Sequence, residues 1–315
     1  MTGERMRIVH DGDHGIDDAV ATLFLLGRSD VELVAIGTVH GNAHAGQAAS
    51  NALQLAELTG HRGVPVAVGA ARPLVQPADV TGLVHGLDGL GGYAVPHDGG
   101  PAAVSAAEQL VQLARADPGE ITVVATGPLT NIALALLLEP RLPGLLRRLV
   151  VMGGAVEHPG NITADAEANI AMDPEAAALV LGAGFRLTLV PLDTTMATWW
   201  TADDVARIAA HGSPVTDLLT GVLGHYLDFY AQQGGAGGCP LHDPTAAVVA
   251  LDPSVVTRTS TVPVGVELAP GRTRGMLLVD RRPFARPDPA AAVTEVVLAA
   301  DRDAITGQLL DVLLR

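Results

Sequence analysis

The chain has 315 residues, 48% of them hydrophobic and 17% charged, which is typical of one large globular domain rather than a disordered segment. Its 34 acidic residues outnumber 19 basic ones, and the net charge is −15. Nucleic acid and anionic membranes are therefore excluded as partners, because both bind basic surfaces. We expect a small-molecule ligand.

The first predicted elements surround a run of acidic residues. An apolar strand ends near Val9, the chain turns through Gly12 and Gly15, and an apolar run from 19 to 26 predicts a helix. Open α/β sheets place their binding sites at such strand-to-helix turns.

Strand-length and helix-length apolar stretches then alternate. The predicted strands are 31–38, 64–68, 121–125, 149–152 and 187–190, and the predicted helices are 45–60, 103–116, 129–138 and 173–181. This alternation predicts an α/β fold, with a mostly parallel (mixed) central sheet flanked by helices around a Rossmann-like core.

The pattern changes after Thr194. Two helical stretches, 201–211 and 214–233, predict a helical insertion at about 200–233, and a further helix is expected at 245–251. A β-hairpin is predicted from 262–268 and 275–280, followed by two final helices beginning at Asp288 and Asp303. No repeat or linker divides the chain, so residues 1–315 are expected to form a single domain.

All basic residues are arginine, and the absence of lysine excludes Schiff-base chemistry and a P-loop. The single cysteine, Cys239, offers neither a disulfide nor a thiolate zinc site. No signal-peptide core or membrane-length apolar run is present, so a cytoplasmic protein is expected.

Four carboxylates lie within the eight residues from Asp11 to Asp18. Helix capping and the helix dipole account for Asp17 and Asp18 alone. Four acids this close together raise one another's pKa values unless a cation binds them. Their oxygen ligands favour a hard ion, and a dense protein cage favours calcium over magnesium.

An irregular stretch from 72 to 100 is rich in glycine and proline and contains His85. It neither follows a strand nor opens a helix, which argues against a dinucleotide-binding loop. A mobile loop over a site is the preferred interpretation.

Taken together, the motifs resemble those of the calcium-dependent, inosine-uridine preferring nucleoside hydrolases. The leading motif, 11–18, looks like the aspartate signature of that family. The resemblance continues through ordered matches at 39–42, 65–69, 85–91, 125–131, 152–154, 160–163, 166–169, 173–177, 191–193 and 241–244.

The resemblance implies that Ca²⁺ is held by Asp13, Asp18, the carbonyl of Thr126 and Asp243. It also implies hydrolysis of the N-glycosidic bond of ribonucleosides by a calcium-activated water, with Asp13 as the general base. The implied ribose contacts are Asp17, Asn42, Met152, Asn161, Glu167 and Asn169. Relatives are dimers or tetramers, so a homodimer or homotetramer is expected.

Breaking an N-glycosidic bond builds positive charge on the sugar, which carboxylates stabilise, while the departing base needs a proton. His242 is the candidate acid, because imidazole titrates near neutral pH and this ring precedes Asp243. Tyr226 and Tyr230, spaced i, i+4 on one helix face, are candidate base contacts together with His85.

Three residues depart from the family pattern. His14 replaces a usual proline, Ala168 replaces a usual phenylalanine, and Asp165 adds an acid where relatives carry an apolar residue or proline. A modified or larger nucleoside is therefore an alternative substrate. Another alternative is a catalytically silent nucleoside or sugar binder. A phosphatase of the haloacid-dehalogenase type matches only Asp11-Gly12-Asp13 and ordinarily needs a lysine.

Overall fold

A computed structural model describes residues 5–80, 82–96, 99–234, 237–282, 284 and 291–315. Twelve strands are described: β1 (Met6–Gly12), β2 (Val31–Thr38), β3 (Val66–Val68), β4 (Ile121–Ala125), β5 (Arg148–Met152), β6 (Leu187–Val190), β7 (Trp199–Thr201), β8 (Gly238–Pro240), β9 (Val256–Val262), β10 (Val264–Val266), β11 (Leu277–Val279) and β12 (Thr294–Ala300).

The described α-helices also number twelve. They are α1 (Ile16–Gly27), α2 (Ala45–Leu58), α3 (Ala106–Ala116), α4 (Thr130–Leu138), α5 (Leu142–Leu145), α6 (Ala168–Met172), α7 (Pro174–Leu181), α8 (Leu192–Thr195), α9 (Ala202–His211), α10 (Pro214–Gln232), α11 (His242–Leu251) and α12 (Arg302–Leu313). None of these helices combines the length and apolarity needed to cross a bilayer.

The central sheet has eight strands in the order β3-β2-β1-β4-β5-β6-β12-β9. Every neighbouring pair is parallel except β12 with β9, which is antiparallel. The predicted α/β fold with a mostly parallel, mixed sheet is confirmed.

Strand residues alternate between two hydrophobic cores, because successive side chains point to opposite faces of a sheet. Ile8 packs with the helices α1 and α11, whereas Val9 packs with α3 and α4. In β5, Val150 belongs to the first core and Val151 to the second. Both faces are buried, so the central strands are mostly apolar.

The predicted helix from Asp288 is wrong over 294–300, where the chain forms β12; residues 285–290 lie outside the described part. The alanine-rich sequence before Thr294 favours a helix. The β-branched residues of 294–297 favour a strand instead, and this segment pairs with β6 and β9. The strand β9 was not predicted. The hairpin of β10 and β11, and the last helix, α12, are confirmed.

The helices α9 and α10 occupy the predicted insertion. Each begins with a capping box, from Thr201 and Ser213 respectively. A short antiparallel ribbon of β7 and β8 joins the ends of this insertion. It thereby places α10 beside α1 and directs the chain into α11, which begins at His242.

Candidate active site

Three carboxylates meet between two helix starts. Asp17 and Asp18 lie in the first turn of α1, and Asp243 lies in the first turn of α11. One oxygen from each lies within 4.8 Å of the others, and all three side chains are buried. Asp13, in the turn before α1, adjoins this trio through Asp18.

Burial and mutual repulsion disturb the ionisation of the cluster. Burial first, and the charge of Asp18 second, raise the pKa of Asp13 well above its usual value and that of Asp17 to about 7. Burial and the charges of Asp17 and Asp18 likewise raise the pKa of Asp243.

Asp18 is the exception in the cluster. Burial acts to raise its pKa, but His14, His10 and hydrogen bonds, including one from the Thr126 hydroxyl, lower it on balance. Asp18 is therefore the carboxylate of the cluster that ionises most readily.

Asn42 holds both oxygens of Asp13. Its backbone N–H donates to Oδ2 at 2.6 Å and its side-chain amide donates to Oδ1 at 2.9 Å. Gly41, with φ of 156°, permits this approach, since a Cβ there would lie 1.9 Å from Asp13 Oδ2. The loop after β2 thus fixes the carboxylate in one orientation.

Thr126 follows β4 and links the carboxylate cluster to Asn169. Its hydroxyl donates to Asp18 Oδ1 at 2.6 Å, and its carbonyl accepts from the Asn169 amide at 3.1 Å. Asn169 also donates to the Met152 carbonyl. Strands β4 and β5 therefore bring the predicted Thr126 and Met152 together with Asn169.

The carboxylate of Glu167 caps α6. It accepts backbone N–H groups of Asn169 and Ile170, and that of Gly154, at 2.8 to 3.1 Å. Burial nevertheless raises its pKa. Asn161 supports the same turn by accepting from the Ala168 N–H at 2.9 Å.

Aromatic residues form the opposite wall. The rings of Tyr226 and Tyr230 are 5.0 Å apart between centroids, and His85 lies 5.4 Å from Tyr226. The Tyr230 hydroxyl is 3.4 Å from His242 Nε2, whose Nδ1 is 2.8 Å from the Thr195 hydroxyl. Burial lowers the pKa of His242 to about 3 and that of His85 to about 4, so both rings are neutral near pH 7.

The loop carrying His85 is tied to the acidic turn. His85 Nδ1 accepts from Ile16 N–H at 3.0 Å, at the start of α1. The buried Asn51 amide donates to the carbonyls of His14 and Asp88, at 3.0 and 2.9 Å. His14 itself has a left-handed backbone, φ 44°, which is uncommon for a residue with a side chain.

Between the acidic and aromatic walls lies a cavity of about 400 Å³. Most of the predicted residues line it: Asp17, Asn42, His85, Thr126, Met152, Asn161, Glu167, Asn169, Tyr226, Tyr230, His242 and Asp243. Of the predicted site residues in the described structure, Asp13 and Asp18 alone lie outside this lining. Asp18 instead contacts Asp243, which does line the cavity.

Sequence reasoning missed the apolar part of the lining, which includes Met172, Met196 and Phe229, together with the amide of Gln233. A signal was available for two of these. Phe229 and Gln233 follow Tyr226 at i+3 and i+7 and therefore share its helix face. The two methionines lie in segments without a distinguishing pattern.

The family model of the inosine-uridine preferring nucleoside hydrolases matches residues 8–306 of the chain. The chain belongs to this family. It is 36% identical to an inosine-uridine preferring nucleoside hydrolase of Crithidia fasciculata, over 98% of both chains. It is also 36% identical to the pyrimidine-specific ribonucleoside hydrolase RihA of Citrobacter koseri, over 87% of this chain and 88% of the relative.

Among solved structures, a plant nucleoside hydrolase superposes with a TM-score of 0.94 at 32% identity, covering 98% of this chain and 99% of the other. The shared fold extends over the helical insertion as well as the central sheet. These relatives together identify an enzyme of the nucleoside hydrolase type.

Proposed function

We propose that this chain hydrolyses the N-glycosidic bond of ribonucleosides, releasing ribose and free nucleobase. The observation that carries the proposal is the buried carboxylate trio of Asp17, Asp18 and Asp243 beside a cavity of about 400 Å³. Ribose carbon C1′ gains positive charge as this bond breaks, so a negatively charged wall stabilises the transition state.

The residues present fit a calcium ion. Asp18 and Asp243 offer buried carboxylate oxygens within 4.8 Å of each other, and Asp13 adjoins Asp18. Such an oxygen-rich site suits a hard cation. We assign Ca²⁺ to Asp13, Asp18, the Thr126 carbonyl and Asp243. Bound there, the ion would orient the ribose hydroxyls and increase the acidity of a coordinated water.

Asp13 is the proposed general base. Asn42 fixes both of its oxygens, so the carboxylate meets the attacking water in one orientation. Burial raises the pKa of this carboxylate well above its usual value, which favours acceptance of a proton. Asp13 therefore accepts the proton released as the water oxygen bonds to C1′.

The ribose is held by hydrogen-bonding groups on the acidic side of the cavity. Asp17 and Glu167 accept from hydroxyl groups, while the amides of Asn42, Asn161 and Asn169 either donate or accept. The sulfur of Met152 packs beside Asn169, 3.4 Å from its amide nitrogen. The proposed ribose contacts are Asp17, Asn42, Met152, Asn161, Glu167 and Asn169.

The nucleobase lies against the aromatic wall, where Tyr226, Tyr230 and His85 contact it. We assign His242 as the leaving-group acid. The imidazolium form of the ring supplies the proton, which passes to the base through the Tyr230 hydroxyl, 3.4 Å from Nε2, and the ring returns to the neutral form that burial favours. The departing base thereby leaves as a neutral molecule.

A product assay tests the proposed function. Purine, pyrimidine and modified-base nucleosides are incubated with the protein, with and without chelator, and the released base and ribose are quantified. We expect turnover that chelation abolishes and calcium restores. Nucleoside binding without release of base would contradict the proposal and establish a silent binder. The named relatives differ in base preference, so the panel also assigns that preference.

We further propose a cytoplasmic homodimer or homotetramer. Exposed apolar side chains on two packed helices support self-association: Leu137 and Leu138 end α4, and Leu179 lies on α7. Light scattering coupled to size-exclusion chromatography measures the mass, and a strictly monomeric mass would contradict the proposal.

A further inference from the structure

A line of buried hydrogen bonds connects α1 and β1 to the carboxylate cluster. The Thr22 hydroxyl, on α1, lies 3.0 Å from His10 Nδ1. His10 Nε2, on β1, lies 2.8 Å from the Thr126 hydroxyl, which lies 2.6 Å from Asp18 Oδ1. All four side chains are fully buried.

The donor and acceptor of each hydrogen bond follow from the bond between Thr126 and Asp18. An ionised Asp18 carboxylate only accepts, so the Thr126 hydroxyl donates its single proton there. That hydroxyl oxygen therefore accepts from His10, which places the ring proton on Nε2. In the neutral ring Nδ1 is then unprotonated and accepts from the Thr22 hydroxyl, 3.0 Å away.

The contact between Thr126 and Asp18 has little room to change. A Cβ at Gly12 would lie 2.5 Å from Thr126 Oγ1 and 2.4 Å from Asp18 Oδ1, so only glycine fits above the pair. His14 packs against His10, with its ring 5.2 Å from that of His10 in an edge-to-face arrangement. The Thr126 side chain is therefore fixed by its hydrogen bonds with His10 and Asp18 and by the close backbone of Gly12.

We infer that His10 is a positioning residue for the cation site. It fixes the Thr126 hydroxyl, which orients Asp18, and it holds the backbone whose carbonyl is a proposed ligand. Thr22 acts one step further away by fixing the His10 tautomer. This inference rests on the proposed calcium site, because it concerns residues that orient the ligands of that site.

Outer groups that orient metal ligands change metal affinity by about 10- to 100-fold when removed. His10→Leu removes both ring nitrogens while keeping an apolar side chain, so we expect a loss of calcium affinity in that range. Thr22→Val removes one hydroxyl without changing shape, and we expect a smaller loss of about 3- to 10-fold, given that it acts through His10.

The test is calcium titration calorimetry of the full chain without substrate. Thr22→Ser keeps the hydroxyl and should restore affinity to within about twofold of the parent. Thr194→Val is the matched control, because its buried hydroxyl donates to the Val297 carbonyl and belongs to no line reaching the cluster. Circular dichroism verifies that each variant is folded.

Graded losses in His10→Leu and Thr22→Val, with affinity unchanged in Thr194→Val, support the inference. Unchanged affinity in folded His10→Leu, or an equal loss in Thr22→Val and Thr22→Ser, overturns it. If His10→Leu does not fold, the comparison of Thr22→Val with Thr22→Ser tests the inference by itself. A parent that binds no calcium overturns both this inference and the proposed ion, whereas a parent that binds calcium without hydrolysing nucleosides contradicts only the proposed reaction.

Discussion

The substitution Asp17→Asn is expected to stabilise the calcium-free protein. Asp17 is buried, its Oδ1 has no hydrogen-bond partner in the described structure, and burial together with Asp18 raises its pKa to about 7. An unfolded aspartate titrates near 4, so folding raises this pKa by about 3. At 1.36 kcal/mol for each pH unit, the ionised side chain costs up to about 4 kcal/mol above pH 7.

The pH dependence follows from the same difference. Between pH 4 and 7 the folded Asp17 retains a proton that the unfolded chain has lost, so the free energy of unfolding falls as pH rises. An asparagine does not titrate, but burying its partly unpaired amide costs about 1–2 kcal/mol. We therefore expect a net gain of about 2 kcal/mol at pH 8 and no gain below pH 4.

Urea unfolding in the presence of chelator, at pH 5, 6.5 and 8, measures both effects. Asp252→Asn is the control, and it should lower the free energy of unfolding rather than raise it. Hydrogen bonds from Ser254 and Gln308 hold the pKa of Asp252 below its usual value, so its ionised form stabilises the fold. Added calcium should stabilise the parent more than Asp17→Asn. A chelated Asp17→Asn variant that is less stable than the chelated parent at pH 8 would refute the argument from charge repulsion.

Three further outcomes are expected. Asp13→Ala should lower kcat/KM for nucleosides at least about 1,000-fold in steady-state kinetics, since it removes the proposed base; near-normal rates would remove that role. His242→Ala should slow nucleosides more than nitrophenyl ribosides, whose leaving group needs no proton; equal losses on both substrates would argue against the acid. Glu139→Gln should lower the melting temperature at pH 7, because Arg141 and Arg115 hold the Glu139 pKa below its usual range. The difference in melting temperature should vanish as the pH falls through the pKa of Glu139 in the folded protein, and a constant difference down to acidic pH would contradict this prediction.

Much of the sheet could be predicted because its central strands are buried on both faces and read as short apolar runs. Periodicity also located α10 and the shared face of Tyr226 and Tyr230. The strand β12 escaped prediction, since its alanine-rich approach suits a helix equally well. Only pairing with β6 and β9 makes this segment a strand rather than a helix, and that pairing joins residues distant in sequence.

The spacing of acids near the start of the chain predicted part of the cluster, Asp243 came only from the family resemblance, and the internal arrangement could not be predicted. Asp17 was predicted as a ribose contact, and the structure groups it with Asp18 and Asp243. The line through His10 joins Thr126, 116 residues away, and no local pattern indicates such a bond. The buried environment of His242 was equally invisible, so the sequence argument assumed an ordinary imidazole pKa.

The position of β12 in the sheet has a consequence for biosynthesis. Ribosomes release a chain from its amino end, and residues 294–300 emerge after both β6 and β9. Until then β6 and β9 both present unpaired backbone, which is a template for association between nascent molecules. Termination just upstream of Thr294 therefore yields a fragment that contains every residue lining the cavity, yet has an open sheet and a tendency to aggregate.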